Sequence, residues 1–230
     1  MCTRGIKAGC IWMVCILSAI CADAQVQNLM ENPDRTFYGG LVLGGNMTQV
    51  DGDTYAGYYK IGINAGAIVY TRFTDEMAAS LEILYSQKGS RGINVTSSPY
   101  VGEYIEKYFL DLNYVEVPLL LNYFQRGSRL NYNIGASYSY LIGSSERLET
   151  DQPPVVFDPS IFTFRKADFD LVVGIGYKVW KGWFLNARFQ YSIFSIRDAD
   201  KIPIGFGTHD QYNNMMVVRL VYVFNSESTY

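Results

Sequence analysis

Cysteine occurs only at Cys2, Cys10, Cys15 and Cys21, all in the opening stretch of the chain. The remainder can form no disulfide and offers no thiolate to a metal, which excludes the small stapled scaffolds common among exported proteins. Histidine is scarcer still: His209 stands alone. Charge is thin, at 18% of residues, and the net formal charge is −3, so the basic stripe of a nucleic-acid surface is missing and no nucleic acid is expected as partner. Beyond residue 24 no stretch is apolar for the ~18 consecutive residues that mark a transmembrane helix.

What the chain does have begins with a leader. Arg4 and Lys7 precede an apolar run from Ala8 to Ala22, and Ala22-Asp23-Ala24 supplies a small-residue cleavage site before Gln25. A run of roughly 15 residues is short for a membrane span and carries no stop-transfer flank. A secretory signal peptide over residues 1–24 and one mature domain over residues 25–230 are therefore expected. A lipoprotein leader is the rival, because Cys21 follows Leu17-Ser18-Ala19-Ile20, but bulky Ile20 fits a lipidation site poorly. Setting aside Arg4, Lys7 and Asp23 takes the 19 basic and 22 acidic residues to 17 and 21, leaving the mature chain at −4.

With 19 Tyr, 13 Phe and 21 Gly, the composition is that of an aromatic, turn-rich β protein. Period-2 alternation recurs in eight stretches, and strands are expected at Tyr38–Gln49, Lys60–Thr71, Met77–Lys88, Asn113–Phe124, Leu130–Ile142, Asp168–Val179, Phe184–Ser195 and Asn214–Phe224. In the fourth, Val115, Val117, Leu119, Leu121 and Tyr123 form an apolar face opposite Tyr114, Glu116, Pro118, Leu120 and Asn122. Pro118 has no N–H to give a ladder, so a bulge or a missing rung is expected there.

The period alone permits a soluble, lipocalin-like barrel with the apolar faces inside. Three features favour the reverse. The polar faces are rich in Gly, Ser and Asn and carry only isolated charges, whereas a soluble exterior is dense in Lys and Glu. Aromatics gather at strand ends as in the girdles of membrane barrels: Tyr70, Phe73, Tyr123, Phe124, Tyr177, Trp180 and Trp183 at one end, Tyr85, Phe109, Tyr138 and Tyr140 at the other. Connections alternate in length, short at 72–76, 125–129 and 180–183 and long at 50–59, 89–108, 143–167 and 196–213. Short periplasmic turns alternating with longer outer loops is the build of outer-membrane barrels. The expected fold is all-β, an eight-stranded antiparallel up-and-down transmembrane β-barrel in the cell outer membrane, with lipid as its surroundings and both termini periplasmic.

Seven charged residues fall on the inward faces: Glu82, Lys88, Glu116, Asp168, Asp170, Arg188 and Arg219. Eight strands enclose a space that side chains just fill. These groups are therefore expected to form a lumen charge network that plugs the barrel; the alternative is a gated or narrow conduction path lined by the same charges. His209 lies beside Asp210 and near Asp198 and Asp200, but no serine is fixed next to it, so catalysis is not expected. Val50-Asp51-Gly52-Asp53 has the look of a calcium turn yet falls short of a full binding loop, so a simple turn is expected and no metal or cofactor is assigned. Asn46-Met47-Thr48 and Asn94-Val95-Thr96 match a glycosylation sequon by chance, while Pro153-Pro154 and Pro159 stiffen the longest outer loop, where any partner is expected to touch. Leu220, Tyr222 and Phe224 end the last apolar face in the pattern that barrel-insertion machinery reads, followed here by a polar tail from Asn225 to Tyr230.

Several pieces together resemble the PorT-like porin family: Gly45-Asn46, Asp51-Gly52-Asp53-Thr54-Tyr55-Ala56-Gly57 leading to Gly62 and Asn64-Ala65-Gly66, Tyr85-Ser86-Gln87-Lys88-Gly89, Tyr114 to Tyr123, and Gly174-Ile175-Gly176-Tyr177. The resemblance implies an outer-membrane β-barrel of a Gram-negative bacterium, and some relatives assist the type IX secretion system. One departure is Asn122, where the family usually has a basic residue. The function expected is that of a non-enzymatic structural or secretion-accessory scaffold with loop-mediated binding, and secretion-system components are candidate partners. The alternative is a narrow passive channel for small solutes or ions.

Overall fold

Alternation sustained over this length calls for a sheet whose two faces meet different surroundings, and the computed structural model builds one. It describes residues 36–53, 55, 57–93, 105–150, 155–158, 161–203 and 207–224. The leader at 1–24, the sequon at Asn94, the prolines at 153, 154 and 159 and the tail at 225–230 lie outside the described residues. The strands are β1 (Phe37–Asp53), β2 (Lys60–Arg72), β3 (Met77–Ile93), β4 (Ile105–Phe124), β5 (Leu130–Thr150), β6 (Val155–Val156), β7 (Ala167–Trp180), β8 (Trp183–Ser192) and β9 (Gly207–Val223). Setting aside β6, a two-residue flap on the outer part of β5, eight antiparallel strands follow one another around a ring. Pairing of β1 with β9 closes it, so no edge strand is left open.

The sense of the faces is settled by neighbouring residues. Leu43 is 67% exposed while Val42 beside it is 3% exposed, and the same alternation runs through Ile61, Leu81, Leu119, Ile134, Leu171, Leu185 and Leu220. The apolar faces therefore form a continuous outer band, as a lipid-facing wall requires. No helix among the described residues is long and apolar enough to cross a membrane, and the crossing is made by strands.

Inside, the lumen is layered. At the end with the short turns, Tyr38, Ile68, Tyr70, Phe124, Phe184 and Val221 pack into an apolar plug. At the other end Tyr55, Tyr108, Leu110, Leu112, Tyr114, Phe164 and Ile196 form a second. Tyr70 and Phe124, expected in the aromatic girdle, thus point inward, because they share the parity of Ile68 and Leu120. Trp180 and Trp183 do stand exposed at that rim, joined by a tight turn whose Gly182 has φ +69°, a conformation costly for any side chain.

The outer ends differ most from expectation. β3, β4 and β5 run on to Ile93, Ile105 and Thr150, through stretches expected as loops. Two local irregularities hide these extensions. Gly89 adopts φ +128°, and the β4–β5 register slips by one residue as Asn113↔Gly143 gives way to Tyr114↔Leu141. Such a slip reverses which residues face inward: Leu141 is inward below it, Glu146 and Leu148 above it. At Pro118 the missing rung appears without a bulge. Pairing of β3 with β4 lapses between Leu81↔Leu119 and Leu84↔Glu116 and resumes in the same register.

Candidate functional site: the charged middle of the lumen

Besides Lys60, Glu146, Lys178 and Arg197, which are buried as well, all seven charges expected on the inward faces lie between the two plugs, each no more than 5% exposed. They gather into two knots and one outlier. In the first knot Glu82 of β3 receives both arginines. Arg188 of β8 donates from Nη2 to Oε1 at 2.6 Å and from Nη1 to Oε2 at 3.1 Å. Arg219 of β9 donates from Nη1 to Oε2 at 2.7 Å and from Nη2 to Oε1 at 2.9 Å, with Nε held at 3.0 Å by Asn186 Oδ1. β3 and β8 are opposite walls of the ring, so these contacts cross the lumen. Paired forks of this kind are the strongest arrangement available to a buried carboxylate.

Glycine makes room for them. Gly44 stands directly opposite Arg219, and a Cβ there would lie 2.3 Å from Arg219 Cβ and 2.4 Å from the Val218 carbonyl. Gly174 relates to Arg188 in the same way, 2.7 Å from its Cγ. Gly44→Ala is therefore expected to lower stability by about 1–3 kcal/mol through overpacking, read as a lower urea midpoint for the unfolding of the protein in lipid vesicles.

In the second knot Lys88 of β3 donates to Asp170 Oδ2 at 2.5 Å, Asp168 Oδ2 at 3.1 Å and Ser139 Oγ at 3.2 Å, with its Nζ 5.0 Å from the Tyr114 ring centre. Asn213 adds a donor to Asp168 Oδ2 at 2.8 Å. Glu116, the outlier, touches no cation among the described residues: Ser137 Oγ and Gln190 Nε2 each donate to its Oε1 at 2.9 Å. The first knot thus holds two positive groups and one negative, the second one positive and two negative.

A third charged contact lies nearer the long-loop end and was not legible as such. Arg197, between β8 and β9, donates to Glu146 Oε2 at 2.7 Å and Oε1 at 3.2 Å and to the Phe162 carbonyl at 3.0 Å, with its guanidinium 4.0 Å from the Phe164 ring centre. Tyr108 Oη donates to Glu146 Oε1 at 2.5 Å, and its ring stacks on Tyr55 at 4.4 Å. Both charges stand in stretches expected as loops, at 143–167 and 196–213. The available signal was that Tyr108, Leu110 and Leu112 continue the parity of Tyr114 and Glu116 without a break.

Two of the pieces that resemble the PorT-like family, Gly45-Asn46 and Tyr85 to Gly89, meet in one place. Asn46 pairs with Gly62 across β1 and β2, and the bare glycine lets the Asn46 side chain reach over to β3, donating to Ser86 Oγ at 3.0 Å and the Gln87 carbonyl at 3.1 Å. Thr48 Oγ1, paired with Lys60, donates to the Gly89 carbonyl of β3 at 2.8 Å. Asn122, nearer the short turns, donates to Ser80 Oγ at 2.8 Å.

The remaining candidates are dispersed. His209 and Asp210 are exposed at the start of β9, where Asp210 accepts the Ala199 N–H. Asp198 is held below the usual carboxylate range by its hydrogen bond from Arg165. The stretch Val50 to Asp53, expected as a turn, instead continues β1 against β9, with Gly52 at φ +91° in a bulge between Asp51↔Tyr212 and Asp53↔Gly207. Asp53 accepts the Tyr55 N–H and Asp51 takes donors from Gln49 and Asn214; among the described residues no three acidic, His or Cys groups are placed to hold a metal. Leu220 and Phe224 face outward at the closing strand, and Tyr222 lies against Trp183 at 4.8 Å. A pocket of about 470 Å³ opens on the outer wall over β7, β8, β9 and β1, lined by Met47, Val173, Ala187 and Met216.

Residues 24–198 match the family model described as outer membrane protein beta-barrel domain. Among solved structures, Neisserial surface protein A is similar at 12% identity, over 82% of this chain and 97% of that one, with a TM-score of 0.42. The Ail protein of Yersinia pestis is similar at 11%, over 83% and 100%, with 0.45, and OprG of Pseudomonas aeruginosa at 12%, over 81% and 94%, with 0.35. No curated protein matches significantly.

Proposed function

Because the chain belongs to the outer membrane protein beta-barrel domain family, we propose that it is a non-conducting, non-enzymatic barrel of the outer membrane whose lumen is a structural brace and whose long loops bind. The single observation that carries the reading is the salt bridging of opposite walls by Glu82 with Arg188 and Arg219, lying between two apolar plugs. Water and ions need a continuous polar path, and the charged middle of the lumen has an apolar cluster at each end. In this reading the short turns and both termini are periplasmic, and Leu220, Tyr222 and Phe224 serve barrel insertion. A secretion-accessory role belongs to the same proposal, supported by the PorT-like pieces Gln87-Lys88-Gly89 and Val115 to Leu121.

Planar-bilayer recording of the refolded full chain decides between brace and channel. Silence is expected. Steady openings would sink the brace and favour the second reading, a narrow channel, whose support is the unbalanced charge of the two knots.

A further inference from the structure

We propose that Arg91 and Arg147 form a clamp on the outer wall of the barrel for the phosphate of a lipid headgroup, in the leaflet nearer the long loops. The inference rests on the membrane placement of the barrel and is independent of whether its lumen conducts.

Arg91 of β3, Phe109 of β4 and Arg147 of β5 are direct cross-strand partners, one row on three adjacent strands. Their parity is outward: Tyr108 and Leu110 on either side of Phe109 are fully buried, while both arginines are exposed. Each guanidinium carbon sits 5.0 Å from the centre of the one Phe109 ring, so the two stand at most twice that distance apart. The shared ring draws together two cations that would otherwise diverge, and it occupies guanidinium faces while leaving N–H edges to donate.

Neither arginine has a carboxylate partner among the described residues. The two nearest on the outer wall are already engaged, Asp111 by Lys60 in the row below and Glu149 by Lys107 in the row above. Arg165 and Arg197, also at the long-loop end, each hold an acid. Among the described residues, the cations at this row are therefore left without an acid of their own.

The height of the row selects that ligand. Val115, Tyr85, Tyr140 and Ile142 are exposed apolar or aromatic residues of the outer band. Immediately beyond them the wall turns polar, where Tyr85 Oη donates to Asn113 Oδ1 at 3.0 Å and Gln87 Nε2 donates to Tyr85 Oη at 3.1 Å. Phe109 lies four residues further along β4, about 13 Å of strand, which a tilt near 40° reduces to roughly 10 Å of height. Headgroups fill about 5–7 Å beyond the hydrocarbon, so the row stands at their outer edge, where a lipid phosphate within reach of long arginine side chains meets two forks able to give it parallel N–H···O bonds.

The test is native mass spectrometry of the full chain released from detergent with graded phosphatidic acid or phosphatidylcholine. Phosphatidic acid is expected to be retained and phosphatidylcholine lost. The pair Arg91→Gln/Arg147→Gln is expected to need about tenfold more phosphatidic acid for half occupancy, and Arg126→Gln/Arg129→Gln, equal in charge but at the short-turn end, to match the unaltered protein. Equal retention by all three, or an equal loss in both pairs, overturns the clamp. Arg91→Lys/Arg147→Lys keeps charge and length, so it answers the question if the glutamine pair does not fold. A loss of about threefold or more is expected from it, and unchanged affinity would mean that charge alone suffices and no fork is used. Soluble polyphosphate binding through the same arginines as tightly as the lipid would assign the row to a polyanion in solution instead.

Discussion

Glu82→Ala is expected to lower folding stability by about 3–5 kcal/mol, the cost of leaving buried partners without their counter-charge. Both oxygens of Glu82 are each shared by two guanidiniums, and all three side chains are at most 5% exposed. Removing the carboxylate strands two like charges in a space that eight strands keep too narrow for generous hydration. The triple change Glu82→Ala/Arg188→Met/Arg219→Met is expected to recover most of the loss, since apolar side chains of similar length can fill the same volume. The measurement is the urea midpoint of each variant in lipid vesicles, read by the gel shift between unboiled and boiled samples. A single change costing under about 1 kcal/mol would mean that the arginines are well hydrated without Glu82. A wet lumen of that kind is incompatible with a sealed brace, so the stability measurement and the conductance measurement test one idea from two sides.

Lys88→Met is expected to have an effect of the same order, about 3–5 kcal/mol, for the opposite reason. Among the described residues Lys88 is the one cation in contact with Asp168 and Asp170, which lie two apart on β7 and therefore on the same inward face. Without it, two carboxylates crowd the same buried space, with Ser139, Ser192 and Asn213 as their side-chain donors among the described residues. Asp170→Asn in the Lys88→Met background is expected to restore part of the stability, with a coupling energy above about 1 kcal/mol in the double-mutant cycle. Asp168→Asn is expected to couple less, because Nζ stands 3.1 Å from Asp168 and 2.5 Å from Asp170. Equal, near-zero coupling for both would show that the knot is not a unit.

Much of the barrel was legible from period alone. Once Val115, Val117, Leu119 and Leu121 are known to alternate with Glu116 and Leu120, the backbone pleat fixes two faces, and the scarcity of charge on the polar one assigns it to the lumen. Boundaries at the short turns were close for the same reason, since the hydrophobic pattern ends where the turn residues begin. What escaped was wherever the period is locally broken. Gly89 and the slip near Ile142 disguise the outer thirds of β3, β4 and β5, and with them Glu146 and the row carrying Arg91 and Arg147. Tyr70 and Phe124 misled because an aromatic at a strand end can serve a girdle or a plug, and parity alone distinguishes them.

The sequence by itself determined that this chain alternates eight times, that its apolar faces look outward, and that seven charges look inward. All of these follow from neighbours along one strand. Partnership was decided only by the closed ring. Glu82 meets Arg188 because β3 and β8 become opposite walls, and Arg219 has room to cross because Gly44 faces it from β1. These contacts span 106 to 137 residues of chain; no local pattern encodes them, and they exist only once loop closure has brought the first strand beside the last.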